Sequence, residues 1–224
     1  MKLFIDTANI EEIEDAISKG IISGVTTNPS LLAKEPKADF YDHIQKIANV
    51  CAQHQYSDIP LSVEVFAVDP DEMIKQAHKI METINYSNLN IKIPIGYEEL
   101  RVVNQLSKSN IPVNCTCCFT STQLQLAATA GARYVSLFYN RLLDVDGDPS
   151  LVLAQTRRFI DQNNLDCEII SGSIRNPEDV STAWDAGCHI VTAGYKIILE
   201  MTEHSQTDKS ISGFLEDFKG WISK

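Results

Sequence analysis

Residues 89–96, LNIKIPIG, set Lys92 in the middle of an isoleucine-rich run that reads as a buried β-strand. An unpaired ammonium buried there costs several kcal/mol. Strands of a parallel sheet are covered on both faces, so such a lysine has no easy route to water. It must either pair with a carboxylate or serve a chemistry that uses a dehydrated amine.

Seven more runs around it read as strands: KLFID from residue 2, GVTTN from 24, LSVEV from 61, PVNCTCC from 112, YVSLF from 134, CEIISGS from 167 and HIVTA from 189. Between them, apolar positions recurring three and four apart predict helices over 9–19, 36–54, 70–84, 97–108, 120–130, 149–163 and 177–186, with one more after Ala193. In the first, Ile10, Ile13 and Ile17 share one face. Strands that each precede a helix, with no linker, repeat or low-complexity break, predict an α/β chain forming one (β/α)8 TIM barrel across 1–224. A doubly wound sheet is the competing arrangement, but no G-x-G-x-x-G follows the first strand. A further helix over 208–223 carries Ile211, Phe214, Leu215, Phe218 and Trp221 at helical spacing. That is one apolar stripe more than a closed barrel needs, so the helix is expected to pack on the barrel or on a neighbouring subunit.

The bulk properties fit one large domain: 224 residues, of which 44% are hydrophobic. A formal charge of -11 repels nucleic acid and anionic membrane surfaces, so neither is expected as a partner. An anionic ligand would have to meet a local cluster of basic residues. No apolar stretch is long enough to span a membrane, and MKLFIDTANI has no secretory leader pattern, which predicts a cytoplasmic protein. The six cysteines mostly occupy apolar contexts and read as reduced core residues. The cluster CTCC, residues 115–118, invites a zinc reading, but three thiols on alternating strand faces with no nearby histidine do not make a ligand set. No metal is expected.

In a TIM barrel, chemistry gathers where the C-terminal strand ends converge. The runs deliver Asp6, then Thr26, Thr27 and Asn28, then Glu64, Lys92, Asn114 and Thr116, then Ser136, Asn140 and Arg141, and finally Ser173 and Arg175. Each has a bland explanation: Asp6 before Thr7 as a helix cap, Asn28 before Pro29 as a turn residue, Ser173 and Arg175 as the start of the next helix. Lys92 differs, because desolvation disfavours an ammonium, and a free amine beside carboxylic acids is what attack on a ketone requires. The structural alternative is a buried ion pair of Lys92 with Asp6 or Glu64.

Five ordered stretches, FIDTAN (4–9), GVTTNPSLLAK (24–34), NIKIPIG (90–96), YVSLFYNRLLD (134–144) and SGSIRN (171–176), together span almost the whole chain. In them the sequence resembles the small-subunit branch of the transaldolase family, which also contains fructose-6-phosphate aldolase. The resemblance implies a (β/α)8 barrel, class I aldolase chemistry and no metal or organic cofactor. It makes Lys92 the Schiff-base lysine and Asp6 the acid/base for the C4 hydroxyl, with Glu64 and Thr116 holding a catalytic water. It matches Asn28, Asn114 and Ser136 to the retained dihydroxyacetone unit, with Thr26 and Phe138 beside them in the substrate site. Arg141, Ser173 and Arg175 match the phosphate clamp, which suits planar guanidinium groups.

The implied ligands are sugar phosphates, and the implied activity is transfer of dihydroxyacetone between them in the pentose phosphate pathway. Fructose-6-phosphate aldolase, which releases free dihydroxyacetone, is the close rival. Members of that type resemble a pattern of Gln, a nonpolar residue and Tyr where this chain has Glu64, Asn114 and Phe138, so all three positions favour transfer. Two departures bear on this. Leu137 replaces a usual proline and Tyr139 follows Phe138, so a shift of one residue would bring a phenol to the site. In VTAGYKIILE, residues 191–200, relatives usually show prolines, and Lys196 has no assigned role. A phosphate-binding barrel without catalysis is the reading from another class, whereas isomerase or decarboxylase barrels account less well for a lysine and two acids on separate strands. The small-subunit branch is similar to ring-forming pentamers and decamers, which implies a homo-oligomer.

Overall fold

The computed structural model describes residues 2–53 and 59–222. The last residue of the expected 36–54 helix, residue 223 of the C-terminal helix and both ends of the expected domain lie outside the described residues. Eight parallel strands close into a barrel in chain order: β1 (Lys2–Asp6), β2 (Val25–Thr26), β3 (Leu61–Glu64), β4 (Leu89–Pro94), β5 (Val113–Cys118), β6 (Tyr134–Phe138), β7 (Glu168–Gly172) and β8 (Ile190–Ala193). β8 pairs with β1 and shuts the ring. The doubly wound alternative is thereby excluded.

The helices in chain order are α1 (Ile10–Ser18), α2 (Pro29–Leu32), α3 (Phe40–Ala52), α4 (Pro70–Thr83), α5 (Glu99–Lys108) and α6 (Ser121–Thr129). They continue with α7 (Tyr139–Leu143), α8 (Pro149–Asn163), α9 (Pro177–Asp185), α10 (Tyr195–Glu200) and α11 (Ser205–Ile222). α2 and α7 are absent from the sequence-based expectation because four or five residues are too few to show a helical period. The longer helices start where local chemistry demands. Asp69, Asp148 and Asn176 accept N–H groups of the first turn, and Pro70, Pro149 and Pro177 follow with their φ already set for a helix.

Ile, Val and Leu on the outward strand faces pack against the helices and form the main core. The inside of the barrel is graded. Near the N-terminal ends, Phe4, Tyr134, Ile170 and Ile190 make a separate apolar layer, in which the Phe4 and Tyr134 rings meet edge to face at 6.3 Å. Two residues further along β1 and β6, the inward side chains become Asp6 and Ser136, since side chains return to the same face every second residue. Register sets Asp6 opposite Thr26, Glu64 opposite Lys92 and Lys92 opposite Asn114, so these side chains lie next to one another on the inner wall.

α11 carries the expected stripe but does not lay it on its own barrel. Every residue from Thr202 to Ile222 is exposed, including Phe214, Leu215, Phe218 and Trp221.

Inside the barrel Gly24 packs closely, and an added Cβ there would stand 2.5 Å from the fully buried Phe4 ring. Gly24→Ala is expected to destabilise the fold by about 1–3 kcal/mol through overpacking. Urea unfolding checks this, and an unchanged midpoint would contradict it.

Candidate active site

At the C-terminal mouth of the barrel lies a cavity of about 250 Å³. Eleven of the twelve site residues expected from sequence line it: Asp6, Thr26, Asn28, Glu64, Lys92, Asn114, Thr116, Ser136, Phe138, Arg141 and Ser173. Its size is near the small end of ligand pockets.

Lys92 is only 5% exposed. Its Nζ donates to the Thr27 carbonyl at 2.8 Å and pairs with Glu64 Oε2 at 3.0 Å. The ion-pair alternative and the candidate nucleophile are therefore one arrangement. The carboxylate that offsets the cost of burial is also the nearest base for a departing ammonium proton.

Asp6 does not cap a helix. The residue that opens α1 is Asn9, whose side chain accepts from the Glu12 N–H at 3.0 Å. Asp6 Oδ1 instead accepts from the Thr26 hydroxyl at 2.7 Å, and Thr26 Oγ1 lies 2.6 Å from Thr192 Oγ1. Because the Thr26 proton points to Asp6, Thr192 donates to Thr26, giving a chain that ends on the carboxylate. Enclosure by protein raises the Asp6 pKa above its ordinary value. Lys92 and the Thr26 hydrogen bond oppose that rise, and the Glu64 charge adds to it.

Asn28 shows its bland role and its functional position together: Oδ1 caps α2 by accepting from the Leu31 N–H at 3.0 Å, and the residue still lines the cavity. Beside the lysine, the Ser136 hydroxyl donates to Asn114 Oδ1 at 2.6 Å, and Asn114 Nδ2 donates to Ser62 Oγ at 3.2 Å. These bonds fix which way the Asn114 amide faces. The Thr116 hydroxyl is buried with no full hydrogen-bond partner among the described residues, and the adjacent Cys117 thiol interacts with it only weakly.

Phe138 lines the wall with its ring held edge-on to Phe119 at 5.8 Å, and the Arg141 guanidinium sits 4.6 Å from its centroid. A cation over a ring face is attracted by the ring quadrupole, which restricts where Arg141 can point. Tyr139 is buried on the other side of this turn, and its phenol meets Ser150. Among the described residues, no tyrosine lines the cavity.

Arg175 is the twelfth expected residue and is not part of the wall. Its guanidinium holds the Asp144 carboxylate with two bonds, one of 2.7 Å, which keeps Asp144 below the usual carboxylate range. Lys196 is likewise turned outward, 3.4 Å from Glu200.

The cavity also includes residues that sequence reasoning missed. Thr192 follows from strand alternation in HIVTA, which turns it inward with Ile190. Cys117 does not, and it departs from the expected set of core cysteines: the other five are buried, whereas Cys117 opens onto the cavity. The β5–β6 register breaks between Cys115 and Cys118, and Cys117 adopts φ 62°. This bulge upsets the simple alternation assumed for CTCC. Burial and the nearby Glu64 charge raise the Cys117 pKa, which keeps the thiol protonated at neutral pH. Among the described residues, no group of three or more His, Cys, Asp or Glu is arranged to hold a metal.

The raised Asp6 pKa has a stability consequence with a definite sign. From the ordinary value of 3.8 upward, the folded chain binds a proton at Asp6 that the unfolded chain has lost, so stability falls as pH climbs through that window. Asp6→Asn keeps an acceptor for Thr26 and removes the titration. It is expected to melt above the parent protein at pH 7 and to show a shallower decline above about pH 4. A lower melting temperature at pH 7 would contradict this.

The family model described as Transaldolase/Fructose-6-phosphate aldolase matches residues 3–222. A protein named probable transaldolase from Thermoanaerobacter sp. (strain X514) is 42% identical over 219 residues, covering 98% of this chain and 97% of that one. Another of the same name, from Clostridium perfringens (strain 13 / Type A), is 40% identical over 225 residues and covers all of both chains. A solved structure described as "Native KDPGal structure" superposes with a TM-score of 0.56 at 15% identity, over 86% of this chain and 81% of that one, a likeness of fold alone. With a closed eight-stranded barrel, a lysine-centred mouth and whole-length sequence relatives, the chain belongs to the transaldolase/fructose-6-phosphate aldolase family.

Proposed function

We propose that this protein is a transaldolase that moves a three-carbon dihydroxyacetone unit from a ketose phosphate to an aldose phosphate through a Schiff base on Lys92. The observation that carries it is the buried Lys92 Nζ, 3.0 Å from Glu64, in a cavity that also holds Asp6 and Arg141. In the first step Lys92 gives up a proton and its nitrogen attacks the C2 ketone of fructose 6-phosphate or sedoheptulose 7-phosphate. Loss of water from the carbinolamine leaves a protonated imine. Asp6 then takes the C4 hydroxyl proton, the C3–C4 electron pair moves toward the imine nitrogen, and the aldose phosphate departs. The bound enamine adds to a second aldehyde by the reverse steps, and water releases Lys92.

Glu64 and Thr116 are the groups suited to hold that water, and the poorly satisfied Thr116 hydroxyl supports the assignment. Asn28, Asn114 and Ser136, with Thr26, are suited to bind the retained carbons. Arg141 and Ser173 supply the phosphate end, where Arg141 is the local cation that an acidic chain needs. Arg175 would have to leave Asp144 to contribute its guanidinium. Transfer is favoured over release because Phe138 is a phenylalanine at the wall and the Tyr139 phenol is turned away, so no phenol among the described residues stands ready to protonate the enamine. Relatives that carry the name probable transaldolase favour the same choice. No helix among the described residues is long and apolar enough to cross a membrane, which suits a cytoplasmic enzyme of sugar phosphates.

The exposed stripe of α11, with the Phe218 and Trp221 rings stacked at 5.8 Å, supports a homo-oligomer in which a second copy covers it, as in a pentamer or decamer. Light scattering of the wild type and of Phe214→Asp/Phe218→Asp is expected to show an assembly that the double substitution reduces. A monomeric wild type would refute that assignment.

Borohydride reduction in the presence of fructose 6-phosphate should leave a dihydroxyacetone adduct on Lys92, and Lys92→Met should lose at least about 10³-fold in kcat. Recovery of unmodified Lys92 from active enzyme would sink the mechanism. Without an acceptor aldehyde, free dihydroxyacetone should form far more slowly than transfer proceeds. Phe138→Tyr should raise that release, and equal rates in the parent enzyme would favour the aldolase reading.

A further inference from the structure

The two arms at the phosphate end come from different βα units. Arg141 lies in α7 after β6, and Ser173 lies between β7 and α9. The strands set Phe138 beside Gly172, but the arms extend beyond the paired segments.

Asn140 bridges the gap with two bonds. Its backbone N–H donates to the Ser173 carbonyl at 3.3 Å, and its side-chain amide donates to Asp179 Oδ2 at 2.6 Å. The same carboxylate oxygen accepts the backbone N–H of Arg175 at 3.0 Å and of Asn176 at 3.2 Å. Asp179 in turn donates its own N–H to Asn176 Oδ1 at 2.8 Å. Asn140 and Asp179 are 6% and 8% exposed.

Part of this is ordinary helix capping: Asn176 and Asp179 form the reciprocal box that opens α9. The bond from Asn140 is not needed for that purpose. It comes from another βα unit, and it satisfies a buried carboxylate that would otherwise rest on backbone donors alone. Ser173, the residue whose carbonyl Asn140 holds, has φ 61°, a left-handed backbone that serine seldom adopts, and it lines the cavity.

We propose that the Asn140–Asp179 pair is a positioning device that holds Arg141 and Ser173 at one fixed separation, and so governs affinity for the ligand's phosphate without acting on the chemistry at Lys92. It rests on the assignment of Arg141 and Ser173 as the phosphate end given above. A phosphate monoester needs donors from both arms at once. If the arms drift, phosphate binding weakens, whereas the lysine, fixed by Glu64 and the Thr27 carbonyl on β2–β4, is untouched.

The test uses Asn140→Ala, which leaves the capping box intact. Three quantities are read: KM and kcat with fructose 6-phosphate, competitive inhibition by inorganic phosphate, and the yield of borohydride-trapped adduct with unphosphorylated dihydroxyacetone. Asn140→Ala is expected to raise KM and weaken phosphate inhibition about tenfold, with kcat and adduct yield within about twofold of the parent. If Asn140→Ala folds poorly, Asn140→Ser gives the same comparison.

Unchanged KM and phosphate inhibition would overturn the proposal, as would a fall in kcat and adduct yield with KM unaltered. A parent enzyme that forms the dihydroxyacetone adduct but ignores phosphate would overturn it with Lys92 chemistry intact. A parent that forms no adduct at all would instead refute the transaldolase reading, and the proposal with it.

Discussion

The closed ring of parallel strands leaves the Lys92 ammonium nowhere to go, and the rest of the site follows from how it is satisfied. Its nitrogen is held by Glu64 on β3 and by the Thr27 carbonyl just past β2, so one charge ties together three consecutive strand ends. Coulomb attraction in such a place is strong, but removing either partner leaves an uncompensated buried charge. A pair of this kind is a poor device for stability, since an apolar substitute is often as good. It becomes useful when one partner must change protonation, because the acceptor is already within hydrogen-bond reach.

The graded barrel interior explains why ionisable groups are tolerated only at the mouth. Phe4, Tyr134, Ile170 and Ile190 fill the lower part with no polar side-chain groups apart from the tyrosine hydroxyl. Above them Ser62, Asn114 and Ser136 satisfy one another in a short hydrogen-bonded chain. Asn114 and Ser136 reach the cavity wall, where Asp6, Glu64 and Lys92 stand beside them. The amide of Asn114 is oriented from below before any ligand arrives, so the cost of ordering it is met on folding and not on binding.

What could be read in the sequence was whatever depends on period and on alternation within one element. All eight strands and the long helices announce themselves this way, and so do the inward positions from Asp6 to Ser173. What local pattern does not show are the partners from elsewhere in the chain. Arg175 reads as a clamp residue, yet Asp144, 31 positions earlier, holds it outside the cavity wall. Cys117 reads as one of three core thiols, but a bulge in β5 turns it to the cavity at a positive φ that no local rule demands of cysteine. α11 is legible as an amphipathic helix, and nothing in its period says that its apolar face points away from its own barrel.

Phe138 shows how a single side chain joins the two halves of the site. Its edge-to-face contact with Phe119 fixes the ring plane, and that plane sets where the Arg141 guanidinium rests. The ring thus helps to place a cation at the cavity wall although it has no polar atom. A hydroxyl there would add a proton donor near the enamine, and for a transferase a donor at that point is harmful because protonation ends the covalent intermediate before an acceptor arrives. The turn that follows resolves the competing possibility raised by Tyr139: α7 begins at that residue, which swings its phenol toward Ser150 and leaves the apolar ring facing the lysine's side of the barrel. Retention of the three-carbon unit then depends on what is withheld from the cavity as much as on what is placed in it.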